Sequence, residues 1–277
     1  MQRITTLLLL TAFSLISRAA LLNAAPASQP GKALVHAHAH NDYEHARPLL
    51  DALDSGFCSV EADIHLIDGK FLVAHNRLLV RPDRTLQSLY LDPLRERARA
   101  HGGRVYPGGP TMVLLVDFKT NGDTLWPALK DLLKTYADIL TTWQDGKRQE
   151  RAVTVILTGG YPRATFAREG AQRDAIRYAA GDGLLEEMTA QLLPSAEVVP
   201  WVSGEWKKVF AWKGVGPIPP EEKKRMKELA DQAHQQGRTL RFWGAPDNPA
   251  TWAELQLAGV DWINSDDLKG LQAYLMK

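Results

Sequence analysis

Three short apolar runs end in polar residues two positions apart: His38-Ala-His40, Glu61-Ala-Asp63 and Asp117-Phe-Lys119. On a β-strand, residues i and i+2 share a face, so each pair points the same way from its strand end. Glu61, Asp63 and Asp117 are then three hard oxygen donors suited to one Mg²⁺ or Ca²⁺, with positions left for water and substrate. A single Glu-x-Asp is also what a solvated strand end looks like; the third carboxylate and the nearby histidines tip the balance toward a metal. His40 follows the first run and His75 follows Phe71-Leu-Val-Ala74. Two imidazoles beside a cation can divide the proton work of a reaction as general base and general acid. Lys119 shares the face of Asp117, where its charge would stabilise developing negative charge, neutralise the carboxylates, or both. Trp243, closing Thr239-Leu-Arg-Phe-Trp243, is placed to wall a substrate pocket, whereas Ser265-Asp-Asp267 has the chemistry of a helix cap.

The elements that must position these groups alternate. Apolar runs predict strands at about 33–39, 58–66, 112–118, 152–158, 175–180, 198–203, 239–244 and 260–264. Helical patterns intervene near 44–55, 85–101, 123–140, 163–170, 184–192, 220–236 and 249–258, and 267–276 closes the chain. The near-continuous hydrophobicity of the strands is that of a parallel sheet covered on both sides. Eight strand–helix units in about 250 residues match an α/β fold of the closed (β/α)8 TIM-barrel type, in which chemistry gathers at the C-terminal strand ends. The alternative, a doubly wound open sheet, lacks support because no Gly-x-Gly-x-x-Gly follows the first strand. A zinc amidohydrolase is also disfavoured: His36-Ala-His38-Ala-His40 has the first-strand pattern, but no histidine lies on the later strands.

Arg3, the apolar stretch over residues 4–16 and Ala25-Pro-Ala27 read as a signal peptide spanning 1–27, ahead of one barrel domain over 28–277. Arg18 interrupts the apolar stretch, so no stable transmembrane anchor is expected after cleavage. The expected location is secreted or periplasmic. Removing residues 1–27 takes away two arginines and leaves a net charge of −1, with no basic field for nucleic acid. The single cysteine, Cys58, excludes an internal disulfide and reads as a small core residue.

Val60-Glu-Ala-Asp63 followed by Asp68-Gly-Lys-Phe-Leu-Val-Ala-His75-Asn76 resembles the signature of glycerophosphodiester phosphodiesterases. Leu114-Leu-Val-Asp117-Phe-Lys119 resembles that family's third-strand motif, and Arg241-Phe-Trp243 with Gly259-Val-Asp-Trp-Ile-Asn-Ser-Asp-Asp267 resembles its closing strands. The first motif departs from the pattern: His40-Asn41-Asp42-Tyr43 stands where those enzymes have His-Arg-Gly. This version, with Thr85-Leu-Gln-Ser-Leu-Tyr-Leu-Asp-Pro-Leu94 and Ser265-Asp-Asp-Leu268, is closer to the phospholipase-C-like branch named for the altered-inheritance-of-mitochondria protein. Spider-venom sphingomyelinase D shares the barrel plan and an Asp-x-Lys-Thr like Asp117 to Thr120.

The resemblance implies a phosphoric diester hydrolase. Glu61, Asp63 and Asp117 would hold one divalent metal, Mg²⁺ or Ca²⁺, and His40, His75 and Lys119 would be catalytic. Asn41 and Trp243 would contact substrate. The expected partner is a small-molecule or lipid phosphodiester, not nucleic acid. Attack by water or by a neighbouring substrate hydroxyl, giving a cyclic phosphate, both remain open. The competing expectation is a non-catalytic barrel that binds a phosphorylated or sugar-like ligand at the same mouth.

Overall fold

In the computed structural model, which describes residues 32–172 and 175–277, eight parallel strands wrap into a nearly closed barrel. The strands are β1 (Leu34–Ala39), β2 (Phe57–Ile67), β3 (Lys70–Val73), β4 (Met112–Phe118), β5 (Thr142–Gln144), β6 (Lys147–Gln149), β7 (Val153–Gly159), β8 (Ala180–Leu184), β9 (Trp201–Glu205), β10 (Thr239–Trp243) and β11 (Ile263–Ser265). Eight of these eleven form the barrel, in the order β10-β9-β8-β7-β4-β2-β1-β11, and a parallel bridge between Arg241 and Trp262 joins the two ends. β3 turns back antiparallel on β2, and β5 with β6 forms a separate hairpin. The predicted signal segment 1–27 lies outside the described residues. No helix among the described residues is long and apolar enough to cross a membrane.

Helix ends follow local chemistry. Asn121 accepts from the amide of Asp123 to start Gly122–Lys134, and Asn248 accepts from Thr251 N ahead of Pro249–Ala258. Pro220–Gln235 opens with proline in its first turn and two acids at the positive end of its dipole.

Two cores divide the strand faces. Outward residues such as Val60, Leu114 and Val155 pack under the helices. Inward, Val113, Leu115, Ile156, Ala180 and Trp201 plug the lower bore. Above that plug the inward positions turn polar: His38, Ser59, Glu61, Asp182, Ser203 and Arg241 are all buried. This two-sided burial is why the strands read as almost uninterrupted apolar runs.

The fifth barrel strand lies later than the sequence predicts, at Ala180–Leu184 rather than 175–180. Gly181-Asp182-Gly183 is strand because it pairs with β7 and β9, and glycine stands at both positions because the space is tight. A Cβ on Gly181 would lie 2.7 Å from the Tyr161 hydroxyl, and one on Gly183 would lie 2.6 Å from Leu193. The predicted helix 44–55 is broken into Asp42–Glu44 and Leu50–Asp54. Between them Asp42 Oδ2 accepts from Leu49 N at 2.6 Å, and Leu49 takes φ 63°.

Candidate active site

Glu61 and Asp63 project from β2 and Asp117 from the adjacent β4, where Asp63 and Asp117 are register partners. One oxygen from each carboxylate lies within 4.8 Å of the others. The arrangement on Asp63 is lopsided. Its Oδ2 receives Tyr43 Oη at 2.7 Å, His75 Nδ1 at 2.9 Å and Lys119 Nζ at 3.0 Å. Its Oδ1 is buried and has no hydrogen-bond partner among the described residues. A buried bare carboxylate oxygen is costly, and a divalent cation shared with Glu61 and Asp117 would satisfy it. Glycine at 159 keeps that space open: φ is +67°, and a Cβ there would sit 1.9 Å from Asp117 Oδ1. The donor set therefore fits a hard cation.

Burial, then the charges of Asp117 and Glu61, push the Asp63 carboxyl up to about 6 against the opposing pull of Lys119. Burial disfavours the charge on Lys119 too, but Asp117 (Nζ to Oδ2, 2.9 Å) and Asp63 outweigh it and raise its pKa. Glu61 goes the other way. Burial alone would raise it, yet Arg241 and the His38 hydrogen bond hold it well below the usual carboxylate range.

Both predicted histidines line a cleft of about 580 Å³ over this cluster, together with Asn41, Glu61, Asp117, Lys119 and Trp243. Every residue assigned a site role from sequence is thus brought to one mouth, with Asp63 joined through its contacts. His75 gives Nδ1 to Asp63 Oδ2, so Nε2 is the ring nitrogen outside that bond. His40 Nδ1 lies 3.0 Å from both Asp266 Oδ1 and Asn41 Nδ2, an acceptor and a donor that favour opposite protonation states. Burial works against imidazolium at His40, but the Asp266 hydrogen bond and the charges of Glu61 and Asp266 prevail and raise its pKa. Asp267 does cap the last helix, accepting from Gly270 N at 2.8 Å.

Four residues of the site carry no role in the sequence reading. Tyr43 is one, its hydroxyl lying 2.7 Å from both Asp63 Oδ2 and Asn41 Oδ1. The second is Arg241, 3 % exposed, whose Nη1 lies 2.9 Å from Glu61 Oε2 and 2.9 Å from His38 Nε2. Its signal was available: an arginine two before Trp243 in an apolar strand must face the same interior. The third is Asp182, buried and raised by that burial, accepting from Thr158 at 2.7 Å. The fourth is Arg163, which lines the cleft from the first turn of the helix Arg163–Gly170 after β7, stacks 4.7 Å from the Tyr161 ring centre and donates to the Asp182 carbonyl at 3.0 Å. Cys58 is buried in β2 and its thiol is pushed up to about 12 by burial, as a core residue's would be.

The AIM6-like phosphodiesterase domain matches residues 31–177. The chain is 28 % identical to the altered inheritance of mitochondria protein 6 homolog of Arthroderma benhamiae, over 86 % of this chain and 82 % of that protein. It is 29 % identical to altered inheritance of mitochondria protein 6 of Eremothecium gossypii (87 % and 69 % covered). For the protein of that name from Saccharomyces cerevisiae S288c, identity is 30 % (83 % and 68 % covered). Among solved structures, a glycerophosphodiester phosphodiesterase from Agrobacterium tumefaciens superposes with a TM-score of 0.55 at 14 % identity, covering 88 % of this chain and 100 % of that one. One from Parabacteroides distasonis gives 0.52 at 15 %, covering 89 % and 98 %. At such identities these two establish the barrel alone.

Proposed function

Because the chain belongs to the AIM6-like phosphodiesterase domain family, we propose that it is a metal-dependent phosphoric diester hydrolase working at the cleft above Glu61, Asp63 and Asp117. The observation that carries this reading is Asp63 itself: three donors crowd Oδ2 while Oδ1 stays buried and bare beside two further carboxylates. Mg²⁺ or Ca²⁺ held there would act as a Lewis acid on a non-bridging phosphate oxygen.

The protein's own groups then have distinct tasks. Asp63 fixes the His75 ring through Nδ1, so that Nε2 is the nitrogen offered to the reacting oxygen. His40, held between Asp266 and Asn41, supplies the second proton-transfer group, with either histidine as base and the other as acid. Lys119 keeps a positive charge between Asp63 and Asp117. Arg163 takes over phosphate contact from the arginine that Asn41 replaces. Lys119 is spent on two carboxylates and Arg241 on Glu61, whereas the hydrogen bond of Arg163 goes to a neutral carbonyl. Trp243 and Leu184 line the cleft with apolar surface for a substituent of the diester.

Export to a secreted or periplasmic location belongs to the same proposal and is supported by the pattern over residues 1–27. The test of the catalytic assignment is turnover of a phosphodiester by His40→Ala and His75→Ala. Each is expected to lose on the order of 10² to 10⁴ in kcat, and near-normal turnover in both would remove the histidines from the chemistry.

A further inference from the structure

Leu78 is 89 % exposed and Leu79 is 68 % exposed, side by side in the single turn Arg77–Leu79. Isolated surface leucines are ordinary. This pair is not isolated, because the turn begins two residues after His75 and is pinned there: Asn76 Oδ1 accepts from Leu78 N at 3.0 Å. Leu79 shares a hollow of about 250 Å³ with Tyr43, His75, Arg81 and Arg84, next to the cleft that His75 also lines. Two more exposed apolar side chains, Leu184 (42 %) and Trp243 (39 %), lie on that cleft. Apolar surface is thus presented around the mouth that the substrate must enter.

The charges around the pair have one sign in excess. Arg77, Arg81 and Arg84 stand against two acids, Asp83 in the segment 76–84 and Glu44 on the hollow; Arg81 pairs with Asp83 at 2.8 Å and Arg84 donates to the Tyr43 carbonyl, while Arg77, next to Leu78 in the turn, is exposed. We propose that this turn docks the mouth of the cleft on an anionic phospholipid surface, Leu78 and Leu79 entering the interface and Arg77 meeting lipid phosphates. Leucine flanked by arginine suits that boundary, where long cationic side chains reach back to headgroups. A stable protein interface needs roughly 800 Å² on each partner, far beyond what one leucine pair offers. The proposal rests on the phosphodiesterase reading only for what happens after docking: the diester cleaved would be presented at a lipid surface.

The test is co-sedimentation of the full chain with sucrose-loaded vesicles of phosphatidylcholine alone or mixed with phosphatidylglycerol. Wild type should sediment with the mixed vesicles, less so at raised salt. The Leu78→Ser/Leu79→Ser protein should lose on the order of tenfold or more in partitioning, while cleaving a water-soluble phosphodiester as wild type does. Wild type that stays in the supernatant, or a double variant that sediments equally well, would overturn the proposal. So would a leucine-dependent dimer in analytical ultracentrifugation without vesicle binding. Leucine-dependent docking by a protein that cleaves no diester would uphold docking and sink the phosphodiesterase reading instead.

Discussion

Arg241 Nη1 lies 2.9 Å from Glu61 Oε2 inside the barrel, one side chain from β10 and the other from β2. The same nitrogen lies 2.9 Å from His38 Nε2, which itself lies 3.3 Å from Glu61 Oε2, while Nδ1 of that ring lies 2.7 Å from Ser59 Oγ. Burial pushes His38 down to about 4, so at neutral pH it is a fixed hydrogen-bonding group and not a proton carrier. The pair therefore keeps Glu61 ionised beside Asp63 and Asp117. Removing one partner strands a buried charge, so Arg241→Met should destabilise the metal-free protein by about 3–5 kcal/mol. Urea unfolding checks this, and adding Glu61→Gln should recover part of the loss. An unchanged midpoint in the single variant would show that the pair does not hold Glu61.

Asp63 predicts a linkage between pH, stability and metal. Its folded pKa, about 6, lies above the ordinary 3.8. The carboxyl's stabilising contribution is therefore complete below the ordinary value and is lost as pH rises through about 6. Metal-free wild type should fall in stability relative to Asp63→Asn across that window, by up to about 1.4 kcal/mol per pH unit. Because a bound cation requires the ionised form, metal binding just below pH 6 should release protons. Calorimetry in two buffers of different ionisation enthalpy reads this directly. Buffer-independent heats would contradict it.

Asp266 raises the pKa of His40, so Asp266→Asn should lower it. The limb of the pH–rate profile that belongs to His40 should then move to lower pH, whether His40 is base or acid. The side chain of Asp266 is 61 % exposed, and folding should hardly change. A profile that scales down without shifting would place His40 outside the titrating machinery.

Arg163→Ala should raise KM on the order of tenfold or more, with metal affinity unchanged and with Arg163→Lys recovering part of the loss. Equal KM in wild type and Arg163→Ala would return Arg163 to a purely structural part, as the residue stacked on Tyr161 and bonded to the Asp182 carbonyl.

Much of this site was legible because it obeys local rules. Period-two pairs at strand ends give Glu61, Asp63, Asp117 and Lys119, and an apolar run ending in His75 gives the partner of Asp63. Arg241 and His38 were harder, since their contact spans 203 positions and is created only by closing the barrel. Asp182 was missed because the predicted strand stopped at 180, short of Gly181 and Gly183, which are small to clear Tyr161 and Leu193. Tyr43 depends on the loop that Asp42 ties to Leu49 and Tyr90, a loop whose left-handed Asn41 and Leu49 no helical periodicity foretells.

The most direct measurement is phosphorus NMR of the purified protein, stripped with chelator and then given Mg²⁺ or Ca²⁺, over a panel of soluble and vesicle-borne phosphodiesters. The account predicts that a diester resonance disappears only when metal is restored, replaced by a monoester or a cyclic phosphate, and that His75→Ala nearly abolishes the change. Spectra that stay unchanged across the panel with metal present would contradict it and leave the barrel as a binder of phosphorylated ligands.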